Sequence, residues 1–273
     1  MVFKKKNKNE KIEETIEKTA NDVKKECKKG AKKVKNTLNF VVDKLKKIRI
    51  KNLKIGCVNL SINQHGMNII YVLIGITFLV LLSTGLSFLT AVCLFLLVMS
   101  AWFFRDPERV LPERKNVVVA PCDGLIVKIE TTTLPEELNS NDTKEYTKIS
   151  TFMNITDMHV QRMPVDCKVK QIEYIKGAFI SANLDKASKD NERNYVVVEA
   201  ENGDTICITQ IAGFVARRIV CDVKQDEICK AGERYGCIKF GSRIELYVPK
   251  SYKIEVLTGQ RMVCGETIVA SWK

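Results

Sequence analysis

Three side chains in the second half of the sequence could together activate a hydroxyl: Asp123 in "APCDG", His159 in "FMNITDMHVQRMPV" and Ser242 in "IKFGSRI". A serine hydroxyl is a weak nucleophile until a base takes its proton, and a third group that fixes the base completes such a set. Each residue alone has a plainer reading. Asp123 before a glycine suits a turn, His159 in an apolar run suits a packed core imidazole, and Gly241-Ser242 is a common dipeptide. The chain order Asp123, His159, Ser242 is not that of a nucleophile-elbow hydrolase, and no G-x-S-x-G occurs, so an ordinary serine hydrolase is disfavoured. Arg217 and Arg218 in "VARRIV" add planar cations suited to a phosphate or carboxylate, or to a structural ion pair with Glu192. His65, the other histidine, precedes the apolar run described next and is expected in a loop or at an interface.

These residues must be positioned by the short β-branched runs that begin after Arg105, among them "NVVVA", "LIVKIE", "NYVVVEA", "TICITQIAGF" and "IELYVP". Turn signals such as "PCDG", "ENGD" and "VLTGQ" separate them, which predicts one mainly β (α+β) domain over 105–273 with little helix. Upstream, Ile55 to Phe104 contains no Asp, Glu, Lys or Arg. The apolar stretch from Met67 to Phe104 exceeds the ~20 residues of a single span, so a transmembrane helical hairpin over 55–104 is expected, turning near Ser83, Thr84 and Gly85. Trp102 and Arg105 at its end suit a membrane–water interface.

The chain carries 44 basic and 32 acidic residues; 19 and 7 of these fall in residues 1–54, leaving 25 of each in the remainder. The net charge of +12 is therefore a property of the N-terminal arm. Its lysines and loosely spaced apolar residues predict a partly helical arm lying on an anionic phospholipid membrane, or else a solvated tail, with Gly30 interrupting any continuous helix. A hairpin returns the chain to its starting side, so the arm's lysines place both arm and β domain on the cytoplasmic face of the cell membrane. Nucleic acid is not expected as a partner. The 10 cysteines include no C-x-x-C pair, a pattern of packed, reduced thiols with no metal site expected.

Seven ordered blocks give these residues a context: "FFRDPER" (103–109), "APCDG" (120–124), "MHVQRMPV" (158–165), "KGAFISANLDKASKDNERN" (176–194), "IAGFVARRIV" (211–220), "GCIKFGSRIELYVP" (236–249) and "GQRMVCGETIVA" (259–270). Together they closely resemble the short-form phosphatidylserine decarboxylases, over residues 67–273 and not over the arm. The resemblance implies a proenzyme that cuts its own Gly241–Ser242 bond. The Ser242 hydroxyl attacks the preceding carbonyl, the ester eliminates, and the new N-terminus becomes a covalent pyruvoyl group. The products would be a β chain, 1–241, and an α chain, 242–273, forming a heterodimer. Glycine leaves the attacked carbonyl unhindered and serine supplies the nucleophile. The pyruvoyl carbonyl would then form a Schiff base with phosphatidylserine and accept the electrons released with carbon dioxide, giving phosphatidylethanolamine with no added cofactor.

In that chemistry His159 is the candidate general acid or base and Asp123 its orienting partner or the base of self-cleavage; Arg217 and Arg218, by their guanidinium chemistry, are candidate ligands of the lipid phosphate or the substrate carboxylate. Longer members of the family carry H-x-x-H where this chain has His159 and Arg162. Three other readings stand beside this one: an archaetidylserine decarboxylase using the same chemistry on an ether lipid, a non-catalytic membrane-tethered scaffold retaining the fold, and a biotinyl- or lipoyl-type carrier. The last lacks the lysine in a Met-Lys-Met-like turn that such carriers modify.

Overall fold

The computed structural model describes residues 52–55, 58–138, 142–179, 190–213, 218–239 and 242–273. Arm residues 1–51 lie outside them, as do Arg217 and Gly241. The chain divides into two compact units, one holding Met67–Val98 and the other Lys51–Gly66 with Met99–Lys273.

Two apolar helices follow one another, α1 (Gln64–Thr84) and α2 (Phe88–Phe103). The break falls at Gly85, whose φ of 62° is a conformation glycine adopts without steric cost. Hydroxyls secure the last turn of α1: Ser83 and Thr84 donate to the Val80 carbonyl at 3.0 and 2.9 Å. α1, at 21 residues and a mean hydropathy of 2.2, is long and apolar enough to cross a membrane. α2 has 16 residues, about 24 Å at ~1.5 Å per residue, short of the ~30 Å hydrocarbon core. The expectation of two spanning segments is therefore met in length by the first helix alone. Both helices leave large apolar side chains exposed, including Phe78, Leu82, Phe88, Phe95 and Val98.

Residues 52–61 depart from the expected boundaries. They form an antiparallel pair, β1 (Asn52–Ile55) with β2 (Val58–Ser61), which belongs with the β unit rather than with the apolar helices. Polar and apolar residues alternate through "NLKI" and "VNLS", a strand period that the charge-free composition of the following run obscures. His65 lies in the first turn of α1 rather than in a loop.

The β unit is built on one antiparallel eight-stranded sheet. Its order is β11 (Ile228–Cys229), β7 (Cys167–Ile175), β8 (Arg193–Ala200), β9 (Thr205–Ala212), β13 (Ser242–Pro249), β5 (Tyr146–Met153), β4 (Gly124–Thr132), β15 (Arg261–Met262). Along β13 the period of two sends Ile244, Leu246 and Val248 into the main core, with Ile126, Ile149, Val196 and Ile208. Tyr247 faces a second cluster with Tyr146, Tyr195 and Cys207 under the 3₁₀ turn Glu136–Leu138. A three-stranded sheet of β10 (Ile219–Cys221), β12 (Arg234–Ile238) and β6 (Val160–Arg162) touches β8 and β9. A second combines β14 (Lys253–Ile254), β16 (Ile268–Ser271) and β3 (Val117–Val119). Of the cysteines, Cys122, Cys167, Cys207, Cys229, Cys237 and Cys264 are buried thiols, packed as small apolar groups.

Gly236 lets β10 and β12 approach: a Cβ there would stand 2.1 Å from the Val220 carbonyl oxygen and 3.1 Å from Gln210 Nε2. Gly236→Ala is therefore expected to lower stability by about 1–3 kcal/mol, as overpacking does. The urea midpoint of the detergent-solubilised chain measures this, and an unchanged midpoint would show that β10 moves aside freely.

Candidate active site

Ser242 is the first residue of β13, and β13 is paired on both sides from that residue onward: Ser242 lies opposite Met153 of β5 and Ala212 of β9. Both neighbours are fully buried and so is Ser242. Its Oγ has no hydrogen-bond partner among the described residues. A buried hydroxyl without a partner costs about 1–3 kcal/mol and calls for an explanation, a chemical role being one. The neighbouring backbone is fixed from behind: Asn191 Nδ2 donates to the Ala212 carbonyl at 2.7 Å, and the Ala212 N–H donates to the Glu192 carbonyl at 2.9 Å.

His159 sits just before β6, and its carbonyl accepts from the Ile238 N–H at 3.3 Å, four residues ahead of Ser242 in the chain. The imidazole is buried. Its Nδ1 is 2.9 Å from the Asp157 carbonyl oxygen, an acceptor only, so Nδ1 carries the proton and Nε2 of the neutral ring is the basic nitrogen. The Phe103 ring covers it at a centroid distance of 4.2 Å. Burial lowers its pKa to about 4, since an imidazolium there would lose hydration, although the Asp157 carbonyl and carboxylate favour the charged form. At neutral pH the residue is an uncharged base.

An amide chain holds this base to the main sheet. Gln161 Nε2 donates to the His159 carbonyl at 2.8 Å, Gln210 Nε2 donates to Gln161 Oε1 at 3.0 Å, and Asn194 Nδ2 donates to Gln210 Oε1 at 2.9 Å. All three side chains are buried. They lie on β6, β9 and β8, so the chain crosses from the sheet next to His159 to the sheet that begins β13 at Ser242.

Asp123 is held by an arginine side chain and a backbone amide. Arg109 Nη2 donates to both its carboxylate oxygens at 3.1 and 3.0 Å, and the Cys264 N–H donates to Oδ1 at 2.8 Å. At Nδ1 His159 meets the Asp157 backbone carbonyl. Gly124 beside Asp123 has φ 151° and would place a Cβ 2.5 Å from the Phe152 carbonyl oxygen, so glycine is needed for β4 to pair with β5. Arg218 is exposed, and its carbonyl accepts from the Lys239 N–H at 3.2 Å, beside the segment leading to position 241. Glu192 accepts from the Tyr174 hydroxyl.

The block "FFRDPER" accounts for much of the local order. Phe103 covers His159, and Arg105 Nη2 donates to the Thr156 carbonyl at 3.1 Å. Asp106 receives Arg162 Nη2 at 3.2 Å and Arg234 Nε at 2.7 Å, and Arg109 holds Asp123. Arg162, three positions after His159, is a buried structural residue. Besides Asp106 it binds the Pro107 and Gly232 carbonyls, each at 2.9 Å. The other histidine, His65, is paired through Nε2 with Asp222 at 2.8 Å.

Gln161→Leu would take one hydrogen bond each from the His159 carbonyl, which keeps the Ile238 N–H, and from Gln210 Nε2, which keeps the Val220 carbonyl, at about 0.5–1.5 kcal/mol for each bond lost. In a double-mutant cycle with Gln210→Leu, measured by urea unfolding, the two losses should fall short of additivity by about 0.5–3 kcal/mol. Strict additivity would mean that the amides act independently.

Comparison with known proteins completes the picture. The family model described as phosphatidylserine decarboxylase matches residues 96–270. Proteins named phosphatidylserine decarboxylase proenzyme are similar to this chain along most of their lengths. The one from Wolbachia sp. subsp. Brugia malayi is 42% identical over 77% of this chain and 91% of its own. That from Pelagibacter ubique is 42% identical over 77% and 96%, and that from Granulibacter bethesdensis 45% identical over 68% and 72%. The matched span contains β13 with Ser242 at its head, His159 and Asp123, and on these matches the chain belongs to the phosphatidylserine decarboxylase family.

Proposed function

We propose that the chain is a self-processing phosphatidylserine decarboxylase: it breaks its own Gly241–Ser242 bond, turns residue 242 into a pyruvoyl group, and converts phosphatidylserine to phosphatidylethanolamine. The observation that carries this reading is the buried Ser242 hydroxyl at the head of β13, without a partner among the described residues; the neutral base His159 is bonded through its carbonyl to Ile238, which ends β12 four residues before Ser242.

In the first stage His159 Nε2 takes the Ser242 hydroxyl proton as Oγ attacks the Gly241 carbonyl. The proton passes to the departing Ser242 nitrogen, which leaves residues 1–241 joined to Oγ as an ester. Loss of the α-proton of residue 242 expels the Gly241 carboxylate, and water then replaces the nitrogen as ammonia. A residue that becomes a carbonyl group this way needs a side-chain oxygen that can attack and then leave, and Ser242 fits. Asp123, fixed by Arg109 and the Cys264 N–H, keeps the "APCDG" segment in place beside Met158 and Val160, which flank His159.

The pyruvoyl group supplies an electron sink for decarboxylation. The chain's own part is to bind the headgroup, exclude water and move a proton. Met153 and Ala212 beside position 242 offer no charged partner, so a carboxylate brought there is poorly solvated and its loss as neutral carbon dioxide relieves that cost. His159 can return a proton to the substrate carbon. Arg217 and Arg218 are candidate ligands for the lipid phosphate. The pair α1 and α2 anchors the protein in the cell membrane and returns the chain to its starting side, so the lysines of the arm put the β domain on the cytoplasmic side, facing anionic lipid. After processing, 1–241 and 242–273 remain together through β13.

Ser242→Ala should remain a single 31.0 kDa chain and make no phosphatidylethanolamine, while the unaltered protein yields fragments 1–241 and 242–273. Cleavage of the variant between the same residues would contradict the proposal. His159→Gln should slow processing by about 10²–10⁴-fold, the range for a lost general base. A base whose folded pKa is about 4 stays deprotonated until the pH falls to that value. The processing rate should therefore hold through pH 5 and be halved near pH 4. A midpoint near ~6.5, the value of an exposed imidazole, would contradict a buried base.

A further inference from the structure

The turn that orients His159 also presents a surface that the chemistry does not use. Asn154–Asp157 closes through an Asp157 N–H bond to the Asn154 carbonyl at 2.9 Å and an Asn154 N–H bond to Asp157 Oδ2 at 2.8 Å. At its tip Ile155 is 46% exposed. On one flank Arg105 donates to the Thr156 carbonyl at 3.1 Å and lies 4.2 Å from the Trp102 ring centroid, with that ring 48% exposed. On the other flank Arg261 is ion-paired with Asp157, and its side chain is 59% exposed. Val263 points outward like Arg261, with Met262 buried between them.

Single exposed apolar residues are ordinary. Here three of them and two guanidinium groups are joined around one turn, with Asp157 paired to Arg261 and the Asp123 carboxylate also acting on Arg105. An amphipathic ring, long cations and protruding aliphatic side chains are the set that suits a lipid headgroup layer. The last turn of α2 binds this surface to the active site, since Trp102 faces outward while the next residue, Phe103, covers His159.

We propose that Trp102, Arg105, Ile155, Arg261 and Val263 form a docking surface that seats the β domain on a bilayer containing anionic phospholipid. This brings a headgroup to His159 and position 242 while its acyl chains stay in the membrane. A bilayer is favoured over a protein partner because Trp102 ends an apolar helix, the cations complement an acidic headgroup, and the surface adjoins the residue expected to act on a lipid. The inference rests on the decarboxylase reading above and adds to it where the substrate approaches.

The test compares the full chain with its Ile155→Glu and Val263→Glu variants, each reconstituted in phosphatidylcholine vesicles. One substrate is long-chain phosphatidylserine within the bilayer, the other dihexanoyl phosphatidylserine as dissolved monomer. The variants should lose about tenfold in kcat/KM on the bilayer substrate, equivalent to roughly 1.4 kcal/mol, and keep the monomer rate. Equal losses on both substrates would overturn the surface and make the turn a support of His159, and no loss on either would overturn it too. Should the unaltered protein turn over neither substrate, the decarboxylase reading fails, and a second measurement still decides the surface. Ile155→Trp should add emission that lipid brominated near the headgroup quenches. Quenching of that added emission by aqueous iodide alone would place residue 155 in water or against a protein and reject the bilayer.

Discussion

Strand β13 is hydrogen-bonded to a neighbour on each side along most of its length, and its first residue is Ser242. That pairing fixes the backbone on one side of the Gly241–Ser242 bond to the register of β5 and β9, with the Ser242 side chain in a dry environment. Cleavage there would free a chain end without removing a strand, because every ladder bond of β13 lies downstream. Were the chain cut at this position, Ile244, Leu246 and Val248 would remain in the core that β13 shares with the other strands of its sheet.

The base depends on the same register by a longer route. His159 lies next to a different sheet from Ser242, and the amide chain from Asn194 through Gln210 to Gln161 joins the two sheets through buried hydrogen bonds. A slip of one residue in β8 or β9 would turn those side chains to the opposite face and break the chain. The Asp157 carbonyl sets the tautomer, and burial keeps the ring neutral. The charged groups nearby are held by one another, Arg162 with Asp106 and Arg109 with Asp123, which limits the cost of keeping them out of water.

Much of this was legible in the sequence, and the rest was hidden for identifiable reasons. The strands of 105–273 announce themselves by β-branched runs between turn signals, and Gly85 marks the helix break. The β1–β2 pair was missed because it adjoins a long uncharged run that dominates any hydropathy window. Phe103 looked like the end of a membrane segment, yet it packs on His159. Asp123, His159 and Ser242 stand out by residue type, but which acceptor orients His159 depends on a backbone carbonyl two residues away, which no composition reveals. Gln161, Gln210 and Asn194 come from three strands and meet only through tertiary register. Asp157 was the nearest available signal, a carboxylate two positions before the histidine.

The central claim is that residue 242 becomes a carbonyl group by the chain's own chemistry. The most direct measurement is the N-terminal chemistry of the fragment beginning at 242 in the freshly isolated protein. The account predicts that this end resists stepwise amino-terminal degradation and takes up one equivalent of phenylhydrazine, with the mass of a residue lacking its α-amino nitrogen. A fragment with a free amine and an intact serine at its first position would reveal ordinary proteolysis and contradict the account.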